Sequence, residues 1–195
     1  MLSKQQIKRY RAAEPITELG KIFKKHRTDK FSFHRYDRVY EWLLSDFRFR
    51  TDIRLLEIGV QGGGSLRAWE EYLPYAEIVG LDKNPRAADL RFSRAQVLTG
   101  NSANSELLRS LGQFDIIIDD GDHGPISQMQ VFCDLWPSAR QLYVIEDLNF
   151  SRDNTTTKQI AELAVLNTKS RGADHAAEYW IIFANELLAF KRVPQ

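Results

Sequence analysis

Short apolar segments alternate with helix-like segments from residue 53 to residue 148, and this alternation constrains the fold more than any other feature of the sequence. Strands that alternate with helices form a mostly parallel sheet with helices on both faces. The predicted strands are IRLLEIGV, AEIVGLD, SRAQVLTG, FDIIIDD and QLYVIEDL. A predicted hairpin, EYWIIFANELLAFKRV, turns near Asn185 and would add an antiparallel pair at one edge. The sequence therefore predicts an α/β fold.

The 195 residues suit a single domain with two unequal parts. We expect residues 1–50 to form a helical segment that packs on a core made by residues 51–195. Apolar residues at helical spacing occur near the end of the first part, at Tyr40, Leu43, Leu44 and Phe47. Helices are also predicted at 125–136 and 155–168. Cys133, with apolar neighbours, is predicted to be a small core residue.

Charge and hydropathy limit the classes of partner. The net charge of +1 argues against a nucleic-acid binder. The first residues lack the apolar run of a secretory signal, and no stretch reaches the length of a membrane span, so we expect a cytoplasmic protein without a membrane partner. Basic side chains outnumber acidic ones about two to one in residues 1–50. One interpretation of this segment is a solvated helical face. The other is a surface that binds an anionic ligand or a sister subunit of a homo-oligomer.

A glycine-rich turn follows the first predicted strand, in LEIGVQGGGSLRAW. The nicotinamide dinucleotide fingerprint requires a glycine where this chain has Gln61, which argues against that cofactor. Glu57 precedes the turn and is placed to face the cationic end of a cofactor. Asp82 ends the second strand, where an acid can accept hydrogen bonds from ribose hydroxyls. The combination indicates S-adenosylmethionine; the alternative is a tight turn capped by Ser65.

Acidic side chains follow two further strands. Asp120 comes at the end of the fourth strand, and Glu146 and Asp147 come at the end of the fifth. Neighbouring parallel strands lie about 4.8 Å apart, so these acids can converge on Mg²⁺ or Mn²⁺. The alternative is that they belong to a turn and a helix cap. His123 would lie beside such a metal as a general base, or be a structural histidine.

Four segments of the sequence resemble a known family. RTDKFSFHRYDRVYEWL, LLEIGVQGGGSLRAWEEYLP, FDIIIDDGDHG and YVIEDL resemble the metal-dependent O-methyltransferases that modify sugar hydroxyls in antibiotic biosynthesis, of the mycinamicin and tylosin type. Cephalosporin hydroxylase-like proteins share this signature. The resemblance covers about residues 28–148. It implies a Rossmann-like class I methyltransferase fold, S-adenosylmethionine with Mg²⁺ (or Mn²⁺), and a small-molecule hydroxyl acceptor such as a glycoside or sugar.

The resemblance also implies a role for each matching residue. The metal ligands would be Asp120, Glu146 and Asp147, with His123 as the catalytic base. Contacts to the cofactor would come from Thr28, Tyr36, Glu57, Gly59, Ser65, Asp82, Asn101 and Asp119. Of these, Thr28 and Tyr36 would close over the cofactor. Asp122 stands where the family motif has a serine, and it adds negative charge near the metal.

Two other classes of protein remain open at this point. One is a nicotinamide-dependent oxidoreductase on the same kind of sheet. The other is a non-catalytic module whose acids hold a structural cation. The sequence does not name the acceptor, because a sugar on an antibiotic, a lipid or a polysaccharide would present similar oxygens, as would a catechol-like diol.

Overall fold

The computed structural model describes residues 15–148, 177–182 and 187–192, and in this part of the chain seven strands form one sheet. The strands are β1 (Arg54–Ile58), β2 (Glu77–Asp82), β3 (Gln96–Thr99), β4 (Phe114–Asp119), β5 (Ala139–Ile145), β6 (Ala177–Ile182) and β7 (Leu187–Arg192). Their order is β3-β2-β1-β4-β5-β7-β6. Strands β1 to β5 pair in parallel, whereas β7 is antiparallel to both β5 and β6. The predicted α/β fold with an antiparallel C-terminal pair is confirmed.

The helices of the described residues flank this sheet. They are α1 (Glu18–His26), α2 (Asp29–Ser32), α3 (Asp37–Leu44), α4 (Gly64–Tyr72), α5 (Ser105–Ser110) and α6 (Pro125–Leu135). Short 3₁₀ turns follow at Ser45–Phe47, Pro85–Asp89 and Trp136–Ser138. None of the helices described here is both long enough and apolar enough to cross a bilayer. The helix predicted at 155–168 and the hairpin turn near Asn185 lie outside the described residues.

Each strand sends alternate side chains to opposite faces of the sheet, and two apolar cores result. One core lies under α1, α3 and α4 and receives Leu55, Ile116, Ile118, Leu142 and Val144. The other lies under α6 and receives Leu56, Ile58, Ile117, Tyr143 and Ile145. Because both faces are covered, the central strands are apolar along most of their length, which is typical of parallel sheets.

The N-terminal helices pack on the first of these cores. The ring of Phe23 in α1 lies edge-on to Trp69 of α4, with 5.2 Å between ring centroids. Tyr40 of α3 lies 5.1 Å from the same indole. The helical pattern at residues 40–47 is confirmed, since all four of its apolar residues are buried. This packing fixes α2 and α3 beside the carboxyl ends of β1, β4 and β5.

The prediction for Cys133 is wrong, because its side chain is exposed on α6. The buried side of this helix is formed by Gln128, Val131, Phe132 and Leu135, which follow helical spacing. Cys133 lies about 100° around the helix from Phe132, which directs it away from the sheet. Apolar neighbours in sequence are therefore not neighbours on the same helical face.

Candidate functional site

A cavity of about 330 Å³ opens at the carboxyl ends of the parallel strands. It lies where the strand order reverses between β1 and β4, which is where α/β sheets of this kind bind ligands. Residues that follow five different strands line it, and they include Gly59, Asp82, Asn101, Asp120, His123 and Asp147. Asp29, at the start of α2, contributes to the same wall. The fold thus gathers residues distant in sequence around one space.

The glycine turn after β1 forms one side of this cavity. Gly59 has φ +90°, and a Cβ atom there would lie 2.1 Å from the carbonyl oxygen of Asp120. The Asp82 carboxylate accepts hydrogen bonds from the backbone N–H of Val60 and of Gln61, both at 2.9 Å, and from that of Asn84 at 2.8 Å. Burial opposes ionisation, but these bonds outweigh it, and the pKa of Asp82 is lowered. Asp82 therefore holds the turn in place as an anion.

Gly59→Ala is expected to destabilise the protein by about 2 kcal/mol or more, because a methyl group would have a strained φ and would overlap the Asp120 backbone. Chemical unfolding at equilibrium measures the loss. Gly62→Ala is the matched control in the same turn, since no atom lies within 4 Å of its added Cβ. It should change stability by less than about 0.5 kcal/mol. Equal stability of the two variants would contradict the assigned close approach.

Asp120, His123 and Asp147 form a cluster that lines the same cavity. One potential ligand atom from each lies within 4.8 Å of the others. The Nε2 atom of His123 is 3.7 Å from Oδ2 of Asp147. The other oxygen of Asp147, Oδ1, accepts a hydrogen bond from Tyr36 Oη at 2.7 Å and lies 3.1 Å from Nδ1 of His34. The backbone of Asp147 has φ 56°, and its N–H donates a hydrogen bond to Tyr36 Oη at 3.3 Å, so both the backbone and the carboxylate of Asp147 bond Tyr36.

A buried ammonium group lies behind this cluster. Lys30 Nζ is 2.7 Å from Oδ2 of Asp120, 2.7 Å from Oε1 of Glu146 and 3.3 Å from Oε1 of Glu57. Tyr40 Oη also donates a hydrogen bond to Oε1 of Glu146. Burial disfavours the charged form of Lys30, but the three neighbouring carboxylates outweigh burial and raise its pKa. The lysine therefore remains a cation inside the protein.

The structure divides the predicted site residues into two groups. Those that line the cavity are Gly59, Asp82, Asn101, Asp120, His123 and Asp147. Those that support its walls from behind are Thr28, Tyr36, Glu57, Ser65, Asp119 and Glu146. The direct contacts with a cofactor or a metal that the sequence predicts for both groups stay predictions.

The supporting residues have specific partners. Thr28 Oγ1 caps α2 by accepting a hydrogen bond from the backbone N–H of Lys30 at 3.4 Å. Ser65 Oγ donates a hydrogen bond to Oε2 of Glu57 at 2.8 Å. Asp119 is buried, and burial raises its pKa to about 8. These contacts fix the positions of the groups that reach the cavity.

Sequence reasoning missed several residues of this site, namely Asp29, Lys30, His34 and Tyr40. Hydropathy gives no signal for a role of these residues in a site, because charged side chains in a basic segment are typical of a solvated surface and Tyr40 fits the apolar pattern of a packed helix. Their signal was the segment RTDKFSFHRYDRVYEWL, which contributes to the family resemblance. That resemblance did not assign roles to these four residues.

The sheet order, together with a site at its carboxyl ends, defines a class I methyltransferase fold. A mycinamicin-pathway methyltransferase, solved in complex with Mg and S-adenosylhomocysteine, superimposes with a TM-score of 0.78 and 26% identity; the match covers 92% of this chain and 56% of that one. A methyltransferase from Podospora anserina matches 100% of this chain and 98% of its own at a TM-score of 0.59. Its identity of 17% shows the fold alone.

Sequence comparison gives the family. The chain is 35% identical over 145 residues to a tetracenomycin rhamnosyl 3'-O-methyltransferase of Streptomyces olivaceus. It is also 35% identical over 145 residues to the mycinamicin VI 2''-O-methyltransferase of Micromonospora griseorubida. These matches cover 67% of this chain but only 37% and 36% of the two enzymes. No protein-family model matches the chain. The predicted resemblance is confirmed: over the shared region, the chain belongs to the family of these sugar O-methyltransferases.

Proposed function

We propose that this chain transfers a methyl group from S-adenosylmethionine to a sugar hydroxyl of a small molecule, with the assistance of a divalent metal. One observation carries the proposal. A single cavity is lined both by the glycine turn with Asp82 and by the cluster of Asp120, His123 and Asp147. A methyl donor and a metal-bound acceptor would therefore meet in one space. The named relatives act on sugars of antibiotics, which supports a glycoside acceptor.

The donor atoms of the cluster fit Mg²⁺ or Mn²⁺. Asp120 and Asp147 offer carboxylate oxygens, which these hard cations prefer, whereas an imidazole nitrogen suits softer metals better. We therefore assign the two aspartates as ligands and keep His123 as the base. Glu146 is the proposed third ligand. It lies outside the cluster, and Lys30 and Tyr40 both bond its Oε1, which leaves Oε2 for the metal.

The chemistry follows from these assignments. The metal would lower the pKa of the acceptor hydroxyl. His123 then accepts the hydroxyl proton at a ring nitrogen. S-adenosylmethionine, when bound, would supply the methyl group: the bond from carbon to the acceptor oxygen would form as the bond from carbon to sulfur breaks, and sulfur would keep the electron pair as a neutral thioether. Alignment of donor and acceptor within one cavity would contribute much of the rate.

Calorimetry tests the cofactor assignment without an acceptor. S-adenosylhomocysteine is expected to bind with MgCl₂ present, whereas NADH is not, because Gln61 occupies the position of a required glycine. A panel of glycosides with free neighbouring hydroxyls should then reveal methyl transfer that stops when EDTA is added. Binding of NADH alone would favour the oxidoreductase alternative. Failure of both ligands to bind would favour a non-catalytic module.

A further inference from the structure

Lys30 is a deeply buried charge in the site, and the proposed chemistry does not use it. Its side chain is 1% exposed, and its ammonium group lies within 3.3 Å of carboxylate oxygens from three separate strand ends. Glu57 belongs to β1, Asp120 follows β4, and Glu146 follows β5. The ammonium group thus joins the strand that leads into the glycine turn to the two strands that lead into the acidic cluster.

The local fold delivers this lysine to its position. Thr28 caps the four-residue helix α2, and the backbone carbonyl of Lys30 accepts a hydrogen bond from the N–H of Tyr36 at 2.7 Å. The start of α4 lies against the same segment, since a Cβ on Gly64 would be 3.5 Å from the Cα of Thr28. The backbone around Lys30 is therefore held on both sides, and its side chain extends inward.

Electrostatics gives the reason for a cation at this point. Glu57 and Glu146 are buried, and Asp120 is close to both through the shared ammonium group. Buried carboxylates that face one another repel and cost free energy unless a positive charge compensates them. The structure contains a compensating charge that belongs to the chain itself.

We propose that Lys30 is a positioning residue, an internal counter-cation that holds Asp120 and Glu146 together and ties them to Glu57, so that the metal site is assembled in advance. This inference rests on the proposed function, because it takes Asp120 and Glu146 as metal ligands. It assigns Lys30 no contact with the methyl donor or the acceptor. In the folded protein, its positive charge compensates part of the negative charge that a bound metal would otherwise compensate.

The test measures thermal unfolding at pH 8 in EDTA and in MgCl₂. Lys30→Met keeps the length of the side chain and removes its charge. In EDTA its melting temperature should fall by about 10 °C, because three carboxylates lose their counter-charge. MgCl₂ should raise the melting temperature of this variant more than that of the original protein, because a cation then replaces the missing one.

Two further variants separate charge from packing. Tyr40→Phe removes the hydrogen bond that the tyrosine hydroxyl donates to the Glu146 carboxylate and leaves every charge in place. MgCl₂ should therefore raise the melting temperature of this variant as much as that of the original protein. Lys30→Met combined with Glu146→Gln removes one charge of each sign. In EDTA it should recover part of the stability lost by Lys30→Met alone, even if that single variant does not fold.

The outcomes distinguish this inference from the proposed function. An unchanged melting temperature for Lys30→Met in EDTA, or no recovery in the double variant, would overturn the role of Lys30. A gain from MgCl₂ that is no larger in Lys30→Met than in the original protein would also overturn it. If MgCl₂ stabilises none of the variants and calorimetry finds no metal binding to the original protein, the proposed metal site fails instead.

Discussion

His123→Ala is expected to slow methyl transfer by about 10²–10⁴-fold, the usual contribution of a general base. The imidazole lines the cavity next to Asp120 and Asp147, whereas the replacement leaves no group there to accept the acceptor's proton. Affinity for S-adenosylhomocysteine should stay within about threefold, because the glycine turn and Asp82 are untouched. Release of S-adenosylhomocysteine with a glycoside acceptor measures the rate, and calorimetry measures the affinity.

His34→Ala is the matched control for this prediction. His34 also lies beside Asp147, with its Nδ1 3.1 Å from Oδ1, but it is absent from the cavity wall. The His34→Ala variant should therefore lower the rate of methyl transfer by less than about tenfold, through a small shift of the Asp147 carboxylate. If His34→Ala slows transfer more than His123→Ala does, the roles of the two imidazoles must be exchanged. If neither variant slows methyl transfer, neither histidine acts as the general base.

Asp147→Asn is expected to raise the Mg²⁺ concentration for half-maximal activity by at least about tenfold, which corresponds to about 1.4 kcal/mol of binding free energy. Asparagine keeps the size of the side chain, and it tolerates the left-handed backbone at φ 56°, so strain does not confuse the result. It keeps an oxygen that can accept the hydrogen bond from Tyr36 but loses the negative charge. Titration of activity with MgCl₂ measures the change.

Asp122→Asn controls for the loss of any nearby negative charge. Asp122 lines the same cavity but is exposed, and its carboxylate is bonded to the N–H of Gly124 and to Ser127. Water and salt screen an exposed charge, so we expect less than about a threefold change in the Mg²⁺ requirement. An equal shift in both variants would show that general charge, rather than ligation by Asp147, governs metal binding.

The sequence was sufficient to predict the central strands because burial on both faces leaves them with short, nearly continuous apolar runs. The segment FDIIIDD, for example, has the length and the isoleucine content of a buried strand, and it ends in acids. The position of Cys133 was beyond this reasoning, since its exposure depends on which side of α6 meets the sheet. Whether a residue of a helix is buried depends on which side of the helix packs on the sheet, and that side is set by the tertiary structure.

The same distinction applies to the site. The convergence of Asp120 and Asp147 could be predicted, because parallel strands bring their carboxyl ends to one edge. The roles of Lys30 and Tyr40 could not, because they depend on how α2 and α3 pack across that edge. Tyr36 illustrates the difference: the resemblance of its segment predicted a cofactor contact, but nothing in that segment predicted that its hydroxyl group bonds Asp147.

The bond between Lys30 and Glu146 joins residues 116 positions apart. Such a contact can form only after both residues have been synthesised, when most of the described chain is present. Until then, Lys30 cannot compensate the Glu146 carboxylate. The proposed metal site would thus become complete only as this end of the sheet folds.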